Sequence, residues 1–287
     1  MELIVKTFHG LEEVLATEMR NLGLEDVQPV KRAVVAHTDL QGLYKANLHL
    51  RTALRVLVPI QRFTAPDEDQ LYRILNRFPW EKWLRLDQTF AIDSTVSSPI
   101  FRHSKYVALR AKDALVDRFR NQTGKRPSVD TQFPDLRINL HVSNTDFTLS
   151  FDSSGESLHR RGYRAPGHRA PLNEVLAAGM LLIAGWDCKT PLVDPMCGSG
   201  TIVLEAGLMA ANRAPGIQRK RYGFMTWKDF DETLWKKLYT QAIVRESPSE
   251  VPIVGGDISG RALDMAKDAA HRAKLPVNFT WMNRQFN

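Results

Sequence analysis

The sequence is poor in cysteine and has no long hydrophobic run. Its 287 residues include only Cys188 and Cys197, too few for a disulfide framework and without the further ligands of a zinc site. No stretch approaches about 18 uninterrupted apolar residues, and the N-terminus lacks the features of a signal peptide. These absences predict a cytoplasmic protein without a membrane span, and no histidine has the spacing of a metal ligand.

Two common nucleotide-binding motifs are also incomplete. Residues 192–201 read as a strand, a glycine turn around Gly198 and Gly200, and a helix N-terminus. A dinucleotide motif needs a third glycine, where this chain has Val203, and an acid about 20 residues further on. A phosphate-binding P-loop needs a lysine after its glycines, and Thr201 stands there instead. The pattern therefore disfavours both NAD and ATP.

An acidic residue ends each of two predicted strands near this turn. Asp194 precedes the glycines, and Asp257 ends the strand that begins near Val251. The pair suits S-adenosylmethionine, because the turn can pass beside the methionine part while Asp257 accepts both ribose hydroxyls. A Gly-x-Gly turn by itself is weak evidence, since it is often only a tight turn. The predicted cofactor-binding residues are Asp194, Pro195, Met196, Cys197, Gly198, Ser199, Gly200, Thr201, Asp257 and Ile258.

The whole motif is more specific than its glycines. The strings Asp194–Thr201, Glu205-Ala206 and Arg213–Gly216 resemble the methyltransferase domain of bacterial THUMP-containing ribosomal RNA guanine-N2 methyltransferases. The resemblance continues upstream through residues 158–164 and 170–174 and, more loosely, to residues 10–12, so that it covers essentially the whole chain. It implies methyl transfer from S-adenosylmethionine to the exocyclic N2 of a guanine in large-subunit ribosomal RNA. It also implies that Asn283, where an acid is expected, lies near the adenine.

The chain departs from the family pattern at the catalytic loop. In related enzymes an Asn/Asp-Pro-Pro-Tyr/Phe loop after the fourth strand binds the target amine, whereas Asp194-Pro195 is the only Asn-Pro or Asp-Pro pair here. No catalytic residue is assigned, and activity of this chain alone is not predicted. We expect either a longer protein or a partner that covers the open, apolar edge of strand 192–194. The alternatives are a non-catalytic RNA-binding protein and a DNA or RNA adenine-N6 methyltransferase.

The order of the predicted elements indicates two kinds of fold. Mixed short strands and helices up to about residue 153 are typical of an α+β protein, and strands alternate with helices from about residue 172. With the resemblance, this predicts a ferredoxin-like segment (1–42), a THUMP domain (43–153), a basic linker (154–171) and part of a Rossmann-like methyltransferase domain with an incomplete parallel sheet (172–287).

The net charge of +7 and a pI near 9.5 are consistent with a polyanionic partner, here structured RNA. Eight lysines or arginines and two acids fall between residues 102 and 126, on a predicted helix, and residues 159–169 form a second basic cluster that looks like a phosphate-contacting linker. Both could instead be solvated surface. Glu174 is near the cofactor, structural or solvated. The candidate RNA-binding residues are Arg102, Lys105, Arg110, Arg161 and Arg164.

Overall fold

The computed structural model describes residues 1–164 and 171–285. Its contacts divide the chain into two compact units, each built from separate stretches of sequence. Unit 1 comprises residues 1–4, 55–156 and 221–231, and unit 2 comprises residues 5–54, 157–220 and 232–287. Within the described residues, no helix combines the length and apolar content needed to cross a membrane.

Unit 1 is a mixed sheet with two helices. Its strands are β4 (Arg55–Thr64), β5 (Thr89–Ser97), β6 (Ser128–Val129), β7 (Leu136–Ser143) and β8 (Asp146–Asp152), in the spatial order β4-β8-β7-β5-β6. The β7–β8 and β4–β8 pairs are antiparallel, while β5 is parallel to both β7 and β6. Helices α3 (Glu68–Arg77) and α4 (Ser104–Thr123) pack against each other. Strands and helices together confirm the predicted α+β character.

Alternation along β7 explains how this unit forms its core. Leu136, Ile138, Leu140 and Val142 are buried, and the residues between them are partly exposed. They join a cluster that includes Trp80 and the apolar side of α4. The predicted basic helix is therefore amphipathic, with one side in this core and its charged side chains elsewhere.

Unit 2 contains the N-terminal helices and the second sheet. Strand β1 (Glu2–Lys6) is divided between the units, and β2 (Glu25–Val30) pairs antiparallel with β3 (Ala33–His37). The helices are α1 (Glu12–Asn21), α2 (Leu40–His49), α5 (Glu174–Ile183), α6 (Thr201–Ala210), α7 (Glu232–Val244) and α8 (Gly260–Ala273). Asp39 caps α2, since its side chain accepts the Gly42 N–H at 2.8 Å.

The second sheet is parallel, as the alternation of strands and helices predicts. In the described residues its order is β11 (Val277–Asn283), β10 (Ser249–Asp257), β9 (Leu192–Asp194). The carboxyl ends of β9 and β10 therefore lie side by side. Strand β9 forms one edge, and Val193 on it is 59% exposed.

One strand was not predicted from the sequence, and part of one predicted segment lies outside the described residues. Strand β2 was not predicted, because five of its six residues are exposed and show no alternation of apolar and polar side chains. The basic segment 159–169 is described only to residue 164, so the predicted linker character of His168 and Arg169 lies outside the described residues.

Candidate functional site

The glycine turn between β9 and α6 has an open side and a closed side. Gly198 and Gly200 have φ values of +54° and +79°, which favour glycine. A Cβ on Gly200 would come within 2.9 Å of the Ala266 Cβ, whereas one on Gly198 would meet no heavy atom within 4 Å. The turn thus packs tightly against α8 at Gly200 and leaves space for a ligand at Gly198.

The carboxylate of Asp257 holds this turn against the end of β10. Its Oδ2 accepts the Gly198 N–H at 2.9 Å, and its Oδ1 accepts the Ser259 N–H at 2.8 Å. Pairing of Gly255 with Asp194 sets the second acid at the neighbouring strand end. Each Asp257 oxygen keeps a further lone pair, so the carboxylate can still accept two hydroxyl groups.

Burial and negative charge shape the chemistry of the site. Burial, followed by the nearby Asp257, raises the pKa of Asp194, and the Met196 N–H at 3.2 Å opposes this only in part. Burial and then the carboxylates of Asp194 and Asp257 raise the pKa of the Cys197 thiol to about 12. Cys197 is therefore a compact packing residue at neutral pH rather than a nucleophile.

Asn283 lies beside Asp257, in register with it on β11. Its Nδ2 donates to the carbonyl oxygens of Asp257 and Ile258, both at 3.1 Å. This fixes the amide and leaves its Oδ1 as the acceptor end. Ile258 is 69% exposed and Met196 is 76% exposed, so both present apolar surface near the strand ends.

An arginine links the two helices that begin at the site. Arg164 pairs with Glu174 at 2.8 Å at the start of α5, and it donates to the Thr201 hydroxyl at the start of α6. Burial raises the pKa of Glu174, while the charge of Arg164 opposes the shift. Glu174 is thus a buried partner of Arg164 rather than a solvated residue.

Ser259 is a site residue that was not predicted from the sequence. It caps α8 by accepting the Ala262 N–H at 3.3 Å, and its own N–H reaches Asp257. The signal was present: a serine two residues after a strand-ending aspartate, just before a helix, is typical of an N-cap.

The full chain resembles known proteins. Family models match residues 2–57 (RlmL ferredoxin-like domain), 65–152 (THUMP domain) and 161–287 (RMKL-like, methyltransferase domain). The protein named "Putative RNA methyltransferase slr0064", from Synechocystis sp., is 39% identical over 96% of this chain and 72% of its own length. This chain belongs to the RMKL-like methyltransferase family.

Other relatives agree with that assignment. The ribosomal RNA large subunit methyltransferase K/L of Syntrophotalea carbinolica is 43% identical over 94% of this chain but only 39% of its own length. The crystal structure of SMU.472 complexed with SAH is 28% identical, with a TM-score of 0.85 over 100% of this chain and 77% of that one. The chain therefore spans less than half of one curated relative and about three quarters of the others. These matches confirm the predicted family and fold class.

The structure buries one of the arginines predicted to bind RNA. The Arg161 side chain is 2% exposed and pairs with both carboxylate oxygens of Glu205, each at 3.3 Å. It also donates to the carbonyl oxygens of Leu158 at 2.8 Å and Arg51 at 2.5 Å, and the Tyr163 hydroxyl donates to Glu205 at 3.0 Å. In contrast to the prediction, Arg161 is inaccessible to phosphate in this structure.

The other basic candidates differ in their ion pairing and in their exposure to solvent. Arg164 is engaged at the glycine turn, and Arg110 pairs with Asp69 at 2.9 Å while its guanidinium lies 4.5 Å from the Tyr72 ring centre. Arg102 and Lys105, at the start of α4, are exposed. The structure therefore leaves Arg102 and Lys105 as the accessible members of the predicted group.

Proposed function

We propose that this chain carries the methyl-donor site and an RNA-binding module of an S-adenosylmethionine-dependent ribosomal RNA methyltransferase, whose target is the exocyclic N2 of a guanine. The observation that carries the proposal is the Asp257 carboxylate, which lies against the open side of the glycine turn at Gly198. Membership in the RMKL-like methyltransferase family supports it.

The residues at the strand ends fit this cofactor. Asp257 has lone pairs for the two ribose hydroxyls, and the space beside Gly198 admits a ligand close to the backbone. Burial raises the pKa of Asp194, and a positively charged ligand beside this carboxylate would favour its ionised form. Asn283 presents an acceptor for the adenine amine. When bound, S-adenosylmethionine supplies an electrophilic methyl group.

The proposal for RNA rests on unit 1. A THUMP family model matches residues 65–152, and the curated K/L relative is named for large-subunit ribosomal RNA. Arg102 and Lys105 are exposed at the start of α4, where they can contact phosphate. The domain bounds 1–42, 43–153, 154–171 and 172–287 and the cytoplasmic location remain predictions.

The exposed edge strand β9 supports the proposal of a covering partner or further segment. Val193 on β9, together with Met180 and Ile183 on α5, is more than half exposed. An apolar sheet edge of this kind is usually paired or covered.

Calorimetric titration with S-adenosylmethionine tests the donor site. We expect saturable binding that Asp257→Ala weakens about a hundredfold, because it removes both ribose acceptors and the anchor of the turn. Asp264→Ala removes an exposed carboxylate from α8 and serves as the matched control. Thermal unfolding of each variant confirms that the chain is folded, and donor binding unchanged in a folded Asp257→Ala chain would refute the site.

RNA binding and the target base need separate measurements. The affinity for a large-subunit ribosomal RNA fragment should fall in Arg102→Gln and Lys105→Gln, each of which should lower the slope of affinity against salt by about one unit. Nucleoside mass spectrometry of ribosomal RNA from cells with and without the gene identifies the base. Loss of N2-methylguanosine supports the proposed target, and loss of N6-methyladenosine would favour the alternative.

A further inference from the structure

A second concave site lies in unit 2, lined by residues from α1, α2 and α7. It is a cavity of about 160 Å³, and its polar lining consists of Asn21, Lys45, His49, Gln241 and Arg245. None of its eight lining residues carries a carboxylate. The volume corresponds to roughly five molecules of liquid water, enough for a phosphate group.

Two acids close in sequence to lining residues, Glu246 and Glu18, are not part of the lining and have partners of their own. Glu246, adjacent to Arg245 in sequence, pairs with Arg213 at 2.5 Å. The Glu18 carboxylate accepts the backbone N–H groups of Arg51 and Thr52 at 2.8 and 2.9 Å. The positive charges on Lys45 and Arg245 therefore face the cavity without a carboxylate in its lining.

The imidazole of His49 belongs to this lining, and both burial and neighbouring positive charges act on it. Burial, followed by the charges of Arg245, Arg51 and Lys45, lowers its pKa to about 4. His49 is thus neutral at physiological pH and can donate one hydrogen bond from its ring. An anion in the cavity would raise the pKa of His49 again, because a negative charge favours the protonated ring.

We propose that this cavity is an anion site that binds a phosphate group, either a phosphodiester of RNA or a free phosphate. Lys45 and Arg245 supply charge-assisted hydrogen bonds, and His49, Gln241 and Asn21 supply neutral polar contacts. Nothing in the donor site is needed for this binding. Only the RNA source depends on the proposed function.

The test uses the full chain and inorganic phosphate, followed by NMR of labelled histidine rings. The His49 signal, assigned by its loss in His49→Gln, should shift saturably, and the pKa of His49 should rise above about 4. Lys45→Gln and Arg245→Gln should each weaken phosphate binding about tenfold. Lys237→Gln makes the same charge change at an exposed position on α7 outside the cavity and should leave binding unchanged.

Two outcomes would overturn the proposal. The first is the absence of a saturable His49 shift in a chain that unfolds cooperatively. The second is equal weakening by Lys237→Gln and Lys45→Gln, because binding would then follow net charge rather than the cavity.

Titration with a short ribosomal RNA fragment identifies the source of the phosphate. If RNA occupies the cavity, Lys45→Gln lowers the salt slope by about one unit and inorganic phosphate competes with RNA. Phosphate binding without any effect of Lys45→Gln on RNA affinity also supports the anion site and assigns it to a free phosphate. Donor titration with Asp257→Ala is independent, so the donor site and the anion site fail separately.

Discussion

Two carboxylates of unit 2, Glu205 and Asp194, have opposite surroundings. Glu205 is fully buried on α6 and is matched by the Arg161 guanidinium and the Tyr163 hydroxyl. Asp194, at the tip of β9, accepts one backbone N–H at 3.2 Å and lies near the like charge of Asp257. Glu205 has a positively charged partner, whereas the described residues give Asp194 one backbone N–H.

This difference separates a structural role from a binding role. A buried ion pair with both members satisfied fixes helix α6, but it has no capacity left for a ligand. A partly buried carboxylate with too little compensation is typical of a site that awaits a positively charged ligand. Glu205 lies on α6 and Asp194 ends β9, the strand that precedes this helix. Substitutions of the two carboxylates can therefore be compared directly.

Glu205→Ala should give the largest effect on stability. It leaves the Arg161 guanidinium buried without its counter-charge, which should cost about 3–5 kcal/mol in the free energy of unfolding. Chemical denaturation measures this value. Glu232→Ala, which breaks an exposed ion pair with Lys236 on α7, should cost less than about 1 kcal/mol.

The double variant Arg161→Met/Glu205→Leu sharpens the comparison. It replaces the whole pair with apolar groups of similar size, so much of the lost stability should return. If Glu205→Ala proved as mild as Glu232→Ala, the pair would not have the structural role described here.

Substitutions of the two glycines of the turn should have the next largest effects on stability, and the two effects should differ. Gly200→Ala combines a φ of +79° with a Cβ only 2.9 Å from Ala266 and should cost about 2 kcal/mol or more. Gly198→Ala meets no neighbour within 4 Å and should cost about 1 kcal/mol from its backbone alone. Its methyl group would instead occupy the ligand space, so donor binding should fall more than stability. Calorimetry measures the affinity for the donor, and thermal unfolding measures the stability. If Gly198→Ala lowered both equally, the turn would not have an open, ligand-binding side at Gly198.

Local patterns in the sequence predicted much of the fold. The strand-turn-helix at Gly198 and Gly200 and the helix over the basic segment 102–126 each depend on residues close in sequence. Strand β2 escaped prediction because an exposed edge strand needs no hydrophobic alternation. Its existence depends on pairing with β3, which the sequence does not show locally.

Part of the candidate site was also predictable, because it depends on residues close in sequence. The acids at the ends of β9 and β10 follow from strand ends that sequence patterns reveal. The burial of Arg161 could not be predicted from such patterns, because Glu205 lies 44 residues away and the burial of both side chains depends on tertiary packing. A basic cluster in sequence therefore indicates charge, but it does not distinguish a guanidinium at the surface from one in the interior.

Asp194→Asn should have the smallest effect on the free energy of unfolding, and unlike the other substitutions it should increase stability at pH 7. The folded pKa of Asp194 is raised above its ordinary value of 3.8, so folding favours the protonated carboxyl. Stability then falls as pH rises from 3.8 through the folded pKa and stays lower above it. The variant should be more stable than the natural chain at pH 7, by about 1 kcal/mol or less after solvent screening, and this difference should vanish below pH 3.8.

The same variant should bind S-adenosylmethionine more weakly, since the amide keeps the acceptor for the Met196 N–H but loses the negative charge that would attract a positively charged ligand. Gain of stability with loss of donor affinity is the signature of a residue retained for binding. Thermal unfolding at pH 7 and pH 3, together with donor titration at pH 7, measures both. A variant that loses stability at pH 7 would place Asp194 with Glu205 among the structural carboxylates and remove the contrast between them.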